Sequence, residues 1–178
     1  MPNNISVGVA FADPELVAGT TITGATISGS TLSASSLALS NVRSGFTVAQ
    51  QGATIAVATG NNDVYVTVPV AGTLNAAWFA GVDALTASDS NFITFSVTNL
   101  GTTGSGTAAM LAATDANTTK ATGGTGLSAN ARRVLTLNGT AANLVVAAGD
   151  RLRIRAAVTG TLANTVTFPV YSLQFAVA

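Results

Sequence analysis

The chain has 178 residues, a formal net charge of zero, and charged residues at only 8%, against about 25% in an ordinary globular domain. It contains no Cys and no His, which excludes disulfides, thiolate chemistry, Cys/His zinc sites and any His-based acid–base pair. Its mean hydropathy is +0.49, yet no apolar run approaches the ~18–20 residues of a membrane helix. Much of the chain is therefore expected to be hidden in subunit contacts, and no membrane partner is expected.

Residues 1–20 read as an extended arm. Pro14 disfavours a helical conformation at Asp13, and Gly8 and Gly19 loosen the rest. No Lys or Arg precedes the short apolar stretch, so a signal peptide is not expected. The arm carries an apolar series, Val7, Val9, Phe11, Leu16 and Val17, with no local partner, as in a segment that orders on binding a neighbour.

Residues 21–45 read TITGA TISGS TLSAS SLALS NVRSG, with Ile22, Ile27, Leu32, Leu37 and Val42 at every fifth position. Five steps of about 100° scatter these residues around a helix, and an odd period alternates faces on a strand. The pattern suits a chain that turns a corner every five residues, or several chains wound on one axis. So short a repeat cannot bury a core alone, and these five residues are expected to lie in subunit contacts.

From residue 46 to 178 the text is strand after strand. Expected strands include 53–59 with Ile55 and Val57; 64–70, where Val64, Val66, Val68 and Val70 alternate with Tyr65, Thr67 and Pro69; and 73–82 with Leu74, Trp78 and Phe79. Pro69 points to an edge or a strand end. Ile93, Phe95 and Val97 form the next, a weak strand covers about 107–113, and the Gly/Thr/Asn/Ala text of 114–130 reads as a long flexible loop. Leu135 and Leu137 precede Asn138-Gly139, a tight-turn signal. Gly149-Asp150 turns into Leu152 and Ile154, alternating with Arg151, Arg153 and Arg155. In the last strand the apolar parity switches near Pro169–Ser172, which suggests a β-bulge or a bend between two sheets. About eight to nine strands with no 3.6-residue period indicate an all-β, jelly-roll-like antiparallel β-sandwich.

Charge is unevenly spread. Residues 1–119 hold Asp13, Glu15, Asp63, Asp83, Asp89 and Asp115 against Arg43; residues 120–178 hold Lys120, Arg132, Arg133, Arg151, Arg153 and Arg155 against Asp150. The favoured explanation is pairing between neighbouring strands or subunits; the other is a basic face that docks on an acidic partner. No Lys/Arg run with interleaved aromatics occurs, so nucleic acid is not an expected partner. Trp78 beside a Tyr would suit sugar stacking, although a single Trp in a sandwich is more often core or interface. Asp83, Asp89, Ser90 and Asn91 offer oxygens, but the EF-hand pattern is absent and Asx-rich turns explain them without a metal. Ser and Thr abound, with no base to activate them, and Glu15, the only glutamate, lies in the arm. No catalytic residue, cofactor or metal is expected, and the chain is not expected to be an enzyme. Asn117-Thr-Thr and Asn138-Gly-Thr match the glycosylation pattern by chance.

The repeat TITGATISGSTLSASSLALS resembles threaded segments of phage head fibres, decoration proteins and tail fibres. The text ALTASDSNFITFSVTNLGTTGSGTA followed by VAAGDRLRIRAAV resembles the β-sandwich domains of trimeric capsid decoration, or cement, proteins. Together these cover roughly residues 20–178. A VxAGDxLxI phrase is also similar to trimeric jelly-roll domains of the C1q and tumour necrosis factor type. The resemblance implies a homotrimeric virion protein, made in the host cytoplasm, that binds the major capsid protein on the capsid surface. The arm and the Arg151, Arg153 and Arg155 face would then supply capsid contacts. A trimeric tail-fibre adhesive domain is the alternative.

Overall fold

The computed structural model describes residues 45–177. Within them the chain forms nine strands: β1 (Phe46–Gln51), β2 (Gly60–Thr67), β3 (Gly72–Ala80), β4 (Phe92–Asn99), β5 (Ala108–Ala109), β6 (Arg133–Leu135), β7 (Val145–Val146), β8 (Arg151–Thr159) and β9 (Val170–Val177), with two short 3₁₀ turns, Asp115–Asn117 and Ala141–Leu144. The period-two text produces this directly. Along β8, Leu152, Ile154, Ala156 and Val158 are buried while the residues between them face outward, because successive side chains leave opposite faces of a strand.

The strands form two antiparallel sheets. One has the order β1-β9-β3-β6, with β7 also on β3; the other has the order β2-β8-β4-β5. The chain is thus an antiparallel β-sandwich. Its pairs include nested ones, β1 with β9, β2 with β8, β3 with β6 and β7, and β4 with β5. The sheets share one apolar core. Phe79 of β3 meets Phe95 of the opposite sheet in a tilted contact, 4.6 Å between ring centroids, and meets Tyr171 of β9 edge-on at 5.3 Å. Phe46 stacks on Phe175 at 4.9 Å and covers one end.

Three expectations need correction. Residues 53–59 are not a strand: Ile55 makes a single bridge to Val166, and the first strand of the sandwich is β1. A lone apolar residue fills the core there without a ladder to extend it. The parity switch is not a bulge near Pro169–Ser172, since β9 pairs without interruption from Val170. The reset falls at Phe168, whose φ of 48° lies in the left-handed region. The bulge in this sheet is in β3, between Leu74 and Ala76. Finally, 114–130 is not a loose loop. Thr118 bridges Thr94, Leu127 bridges Leu85, and Asn117, Thr118 and Thr119 are buried. Its polar side chains take the place of strand pairing, which periodicity cannot register.

The turns follow their chemistry. Gly149 adopts φ 86°, a conformation that costs a side chain-bearing residue about 1–2 kcal/mol, and its N–H donates to Val68 O at 2.8 Å. Pro69 stands just beyond the end of β2, where its missing N–H interrupts no ladder.

Candidate interaction surface

The two outer faces differ in charge. The strands of the first sheet contain one charged residue, Arg133. Its outward positions are Thr, Ala, Gln and Ser, with Trp78 facing Val134 across β3 and β6. Val134 is 63% exposed and Val145, on β7, 56%. Arg132 lies over the Trp78 ring at 4.9 Å. The strands of the second sheet contain Asp63, Arg151, Arg153 and Arg155, and the alternation of β8 sets all three arginines outward.

Register decides their partners. Asp63 lies directly opposite Arg155, Tyr65 opposite Arg153, and Thr67 opposite Arg151. Arg155 grips Asp63 through Nε at 2.6 Å and Nη2 at 2.7 Å. That bond holds the Asp63 carboxyl below the usual carboxylate range and raises Arg155. Arg151 stacks on Tyr65 at 4.3 Å. Arg153 has an Nε closed from solvent and without a hydrogen-bond partner. Of the three predicted arginines, one is thus neutralised by its cross-strand neighbour, and two are not paired with a carboxylate among the described residues.

The remaining carboxylates tie loops. Asp83 Oδ2 accepts the Thr167 N–H at 2.7 Å and also the Thr167 hydroxyl. Asp89 accepts the N–H and the hydroxyl of Thr122 at 2.8 and 2.9 Å, and both Asp83 and Asp89 are held below the ordinary carboxylate range by these bonds. Asn91 Oδ1 accepts Thr161 N–H. Asp83, Asp89 and Asn91 thus use side-chain oxygens to hold loops, and among the described residues no three Asp, Glu, His or Cys gather as a metal site. Asp115 pairs with Lys120 at 2.8 Å, and Asp150 accepts from Asn99 Nδ2 and Ala147 N–H, each at 2.8 Å.

Trp78 and Tyr65 lie on strands of different sheets and Tyr171 is buried, so neither tyrosine stands exposed beside Trp78. A groove of about 490 Å³ runs over β4, lined by Phe92, Thr94, Ser96, Leu111, Asp115 and Lys120 among others; nothing in the sequence pattern marked it, because its far wall is the Thr/Asn-rich segment after β5. Asn117 is 1% exposed and cannot accept a glycan in the folded chain. Ile22, Ile27, Leu32, Leu37 and Val42, expected in subunit contacts, and Val7, Val9, Phe11, Leu16 and Val17, expected in capsid contacts, lie outside the described residues. No described helix is long and apolar enough to cross a membrane.

The described residues define an all-β class of protein, a two-sheet antiparallel sandwich. No family model matches the sequence, and no curated protein matches it. Among solved structures it is similar to a chain of the cyanophage Pam1 capsid asymmetric unit, at 16% identity and a TM-score of 0.38, over 88% of this chain and 100% of that chain.

Proposed function

We propose that the chain is a non-enzymatic structural protein of a phage virion, a homotrimeric decoration protein that binds the outside of the assembled head and stabilises it. The observation that carries this reading is the joining, in one weakly charged chain, of a five-residue apolar repeat to an antiparallel sandwich whose two outer faces differ in charge. A protein that binds only the assembled shell stabilises it by mass action, and a trimer that grips several shell subunits gains effective concentration without strong single contacts. In this reading Ile22, Ile27, Leu32, Leu37 and Val42 meet their counterparts in other copies. The arm residues Val7, Val9, Phe11, Leu16 and Val17 order on the shell, and the arginine strand faces it.

The test is co-sedimentation of the full chain, and of a chain lacking residues 1–20, with heads stripped of this protein. Saturable occupancy by the full chain and a clear loss on truncation are expected, with the β-sheet circular dichroism of the sandwich retained. Heads that neither bind the full chain nor gain stability from it overturn the reading.

A further inference from the structure

We infer that the outer face of the second sheet is a docking site for an acidic protein surface, and that Arg151 and Arg153, not Arg155, are the residues that bind it. Arg155 is spent: Asp63 takes two of its N–H groups. Asp63 is the only carboxylate on the strands of this sheet, and both its oxygens are turned to Arg155, with no hydrogen bond to Arg153 on the neighbouring pair.

Arg151 is poised for a ligand. Its guanidinium lies on the Tyr65 ring, which limits its rotamers and leaves the in-plane N–H fork free for a carboxylate; ordering lost on binding is smaller for such a stacked guanidinium. Arg153 makes no side-chain hydrogen bond or ion pair among the described residues; its Nε is closed from solvent, so its terminal N–H groups are the ones offered to a partner, which need not displace an internal bond. Two positions apart on a strand, the two arginines leave the same face about 7 Å from each other, a spacing that alternate carboxylates on an extended partner reproduce.

The partner must bring its own acid groups. The five carboxylates of the described residues, Asp63, Asp83, Asp89, Asp115 and Asp150, each accept internal hydrogen bonds that hold a loop or a strand. Nucleic acid fits poorly. Two cations would neutralise about two phosphates, and affinity for a polyanionic backbone scales with that number. The Tyr65 face needed for stacking a base or sugar is already occupied by Arg151.

This inference deepens the shell-contact reading by naming its chemistry, and a synthetic partner lets the two fail separately. The full chain is passed over immobilised poly-L-glutamate, heparin and single-stranded DNA, with the variants R151Q/R153Q and R132Q and the singles R151Q and R153Q. Poly-L-glutamate is expected to retain the wild type in a salt-dependent manner, more strongly than DNA or heparin do. The double variant is expected to lose about tenfold in affinity and each single about threefold, while R132Q stays within about twofold. Melting curves report whether the double variant folds, and the single variants carry the test if it does not. Equal losses in R132Q, tighter binding to heparin or DNA, or no retention of the wild type overturns the inference, whatever the result on stripped heads.

Discussion

Asn117 and Thr136 form a reciprocal pair: Asn117 Nδ2 donates to Thr136 O at 2.8 Å, and its Oδ1 accepts the Thr136 N–H at 2.7 Å. The same Nδ2 also donates to Ala112 O at 2.8 Å. One buried side chain therefore imitates a strand, adding to the few backbone bonds that join the segment after β5 to the end of β6, Ala112 N–H to Thr136 O at 3.0 Å and Asn138 N–H to Met110 O at 2.9 Å. Replacing Asn117 with Ala leaves the Ala112 carbonyl and the Thr136 N–H without these partners, while Thr136 O keeps only the Ala112 N–H. The expected loss is about 2–4 kcal/mol, read as a fall in the urea midpoint without a change of slope. Asn117→Asp should be at least as damaging, since a carboxylate would face two carbonyl oxygens.

Arg133 acts on the same segment from the other side. Its Nη1 donates to Thr125 O, its Nη2 to Ala116 O and Thr118 O, and its guanidinium lies 5.4 Å from the Phe95 ring centroid. Burial depresses its pKa, yet the group stays charged at any ordinary pH. Arg133→Lys keeps the charge and loses the planar fork that reaches three carbonyls. It is expected to recover less than half of the stability lost in Arg133→Ala, measured by thermal unfolding.

How much of this was legible depends on how each segment finds its partners. β2, β4 and β8 announce themselves, because Val64 and Val66, Ile93 to Val97, and Leu152 to Val158 alternate in and out. The segment 114–130 does not, because its buried polar residues Asn117 and Thr119 find partners in Thr136 and Ile93, 19 and 26 residues away. Ile55 misleads in the opposite sense: an apolar residue between small ones resembles a strand, but only one bridge forms. The arginine face was legible as alternation, whereas the division of labour within it required the register that sets Asp63 opposite Arg155 and not Arg153.

Tyr171 is 1% exposed and its hydroxyl has no partner. Burial pushes its pKa above the usual tyrosine range, with the Asp63 charge adding to the effect. The folded state therefore holds the proton more tightly than the unfolded one. That contribution is intact below the unfolded value of about pH 10 and is lost as pH rises beyond it. Tyr171→Phe is expected to leave the stability at pH 7 unchanged or raise it by about 1 kcal/mol, and to lessen the alkaline loss. A clear drop at pH 7 would mean that the hydroxyl has a partner.

At the acid end, Asp83 is held below its ordinary range chiefly by the Thr167 hydroxyl and then by the Thr167 N–H. Its contribution is present above the unfolded carboxylate value of about 3.9 and is lost as pH falls through the lower folded one. Asp83→Ala should destabilise the protein at pH 7 and flatten the fall in stability below about pH 4. Urea titrations at both pH values measure the difference.

Phe168 gives the last prediction, in which stability and association should move in opposite directions. Its φ of 48° is unfavourable for an aromatic residue, by about 1–2 kcal/mol, and its side chain is 62% exposed, so burial does not explain the conformation. The neighbours impose it. Thr167 is bound to Asp83 through its N–H and hydroxyl, Val82 N–H donates to Thr167 O at 3.1 Å, and Gly52 N–H donates to Pro169 O at 2.8 Å. The ring is thus presented rigidly beside Val82, itself 42% exposed, in the manner of an anchor whose ordering cost is already met. Phe168→Asn relieves the backbone, since Asn tolerates the left-handed region, and removes little buried area. It should raise unfolding stability by about 0.5–1 kcal/mol. In the same variant, self-association or shell binding by sedimentation should weaken, the usual conflict between a relaxed fold and a strained contact. If Phe168→Asn gains stability and associates as the wild type does, the ring is no anchor; if it loses stability, the left-handed turn depends on the ring rather than on Asp83 and Thr167.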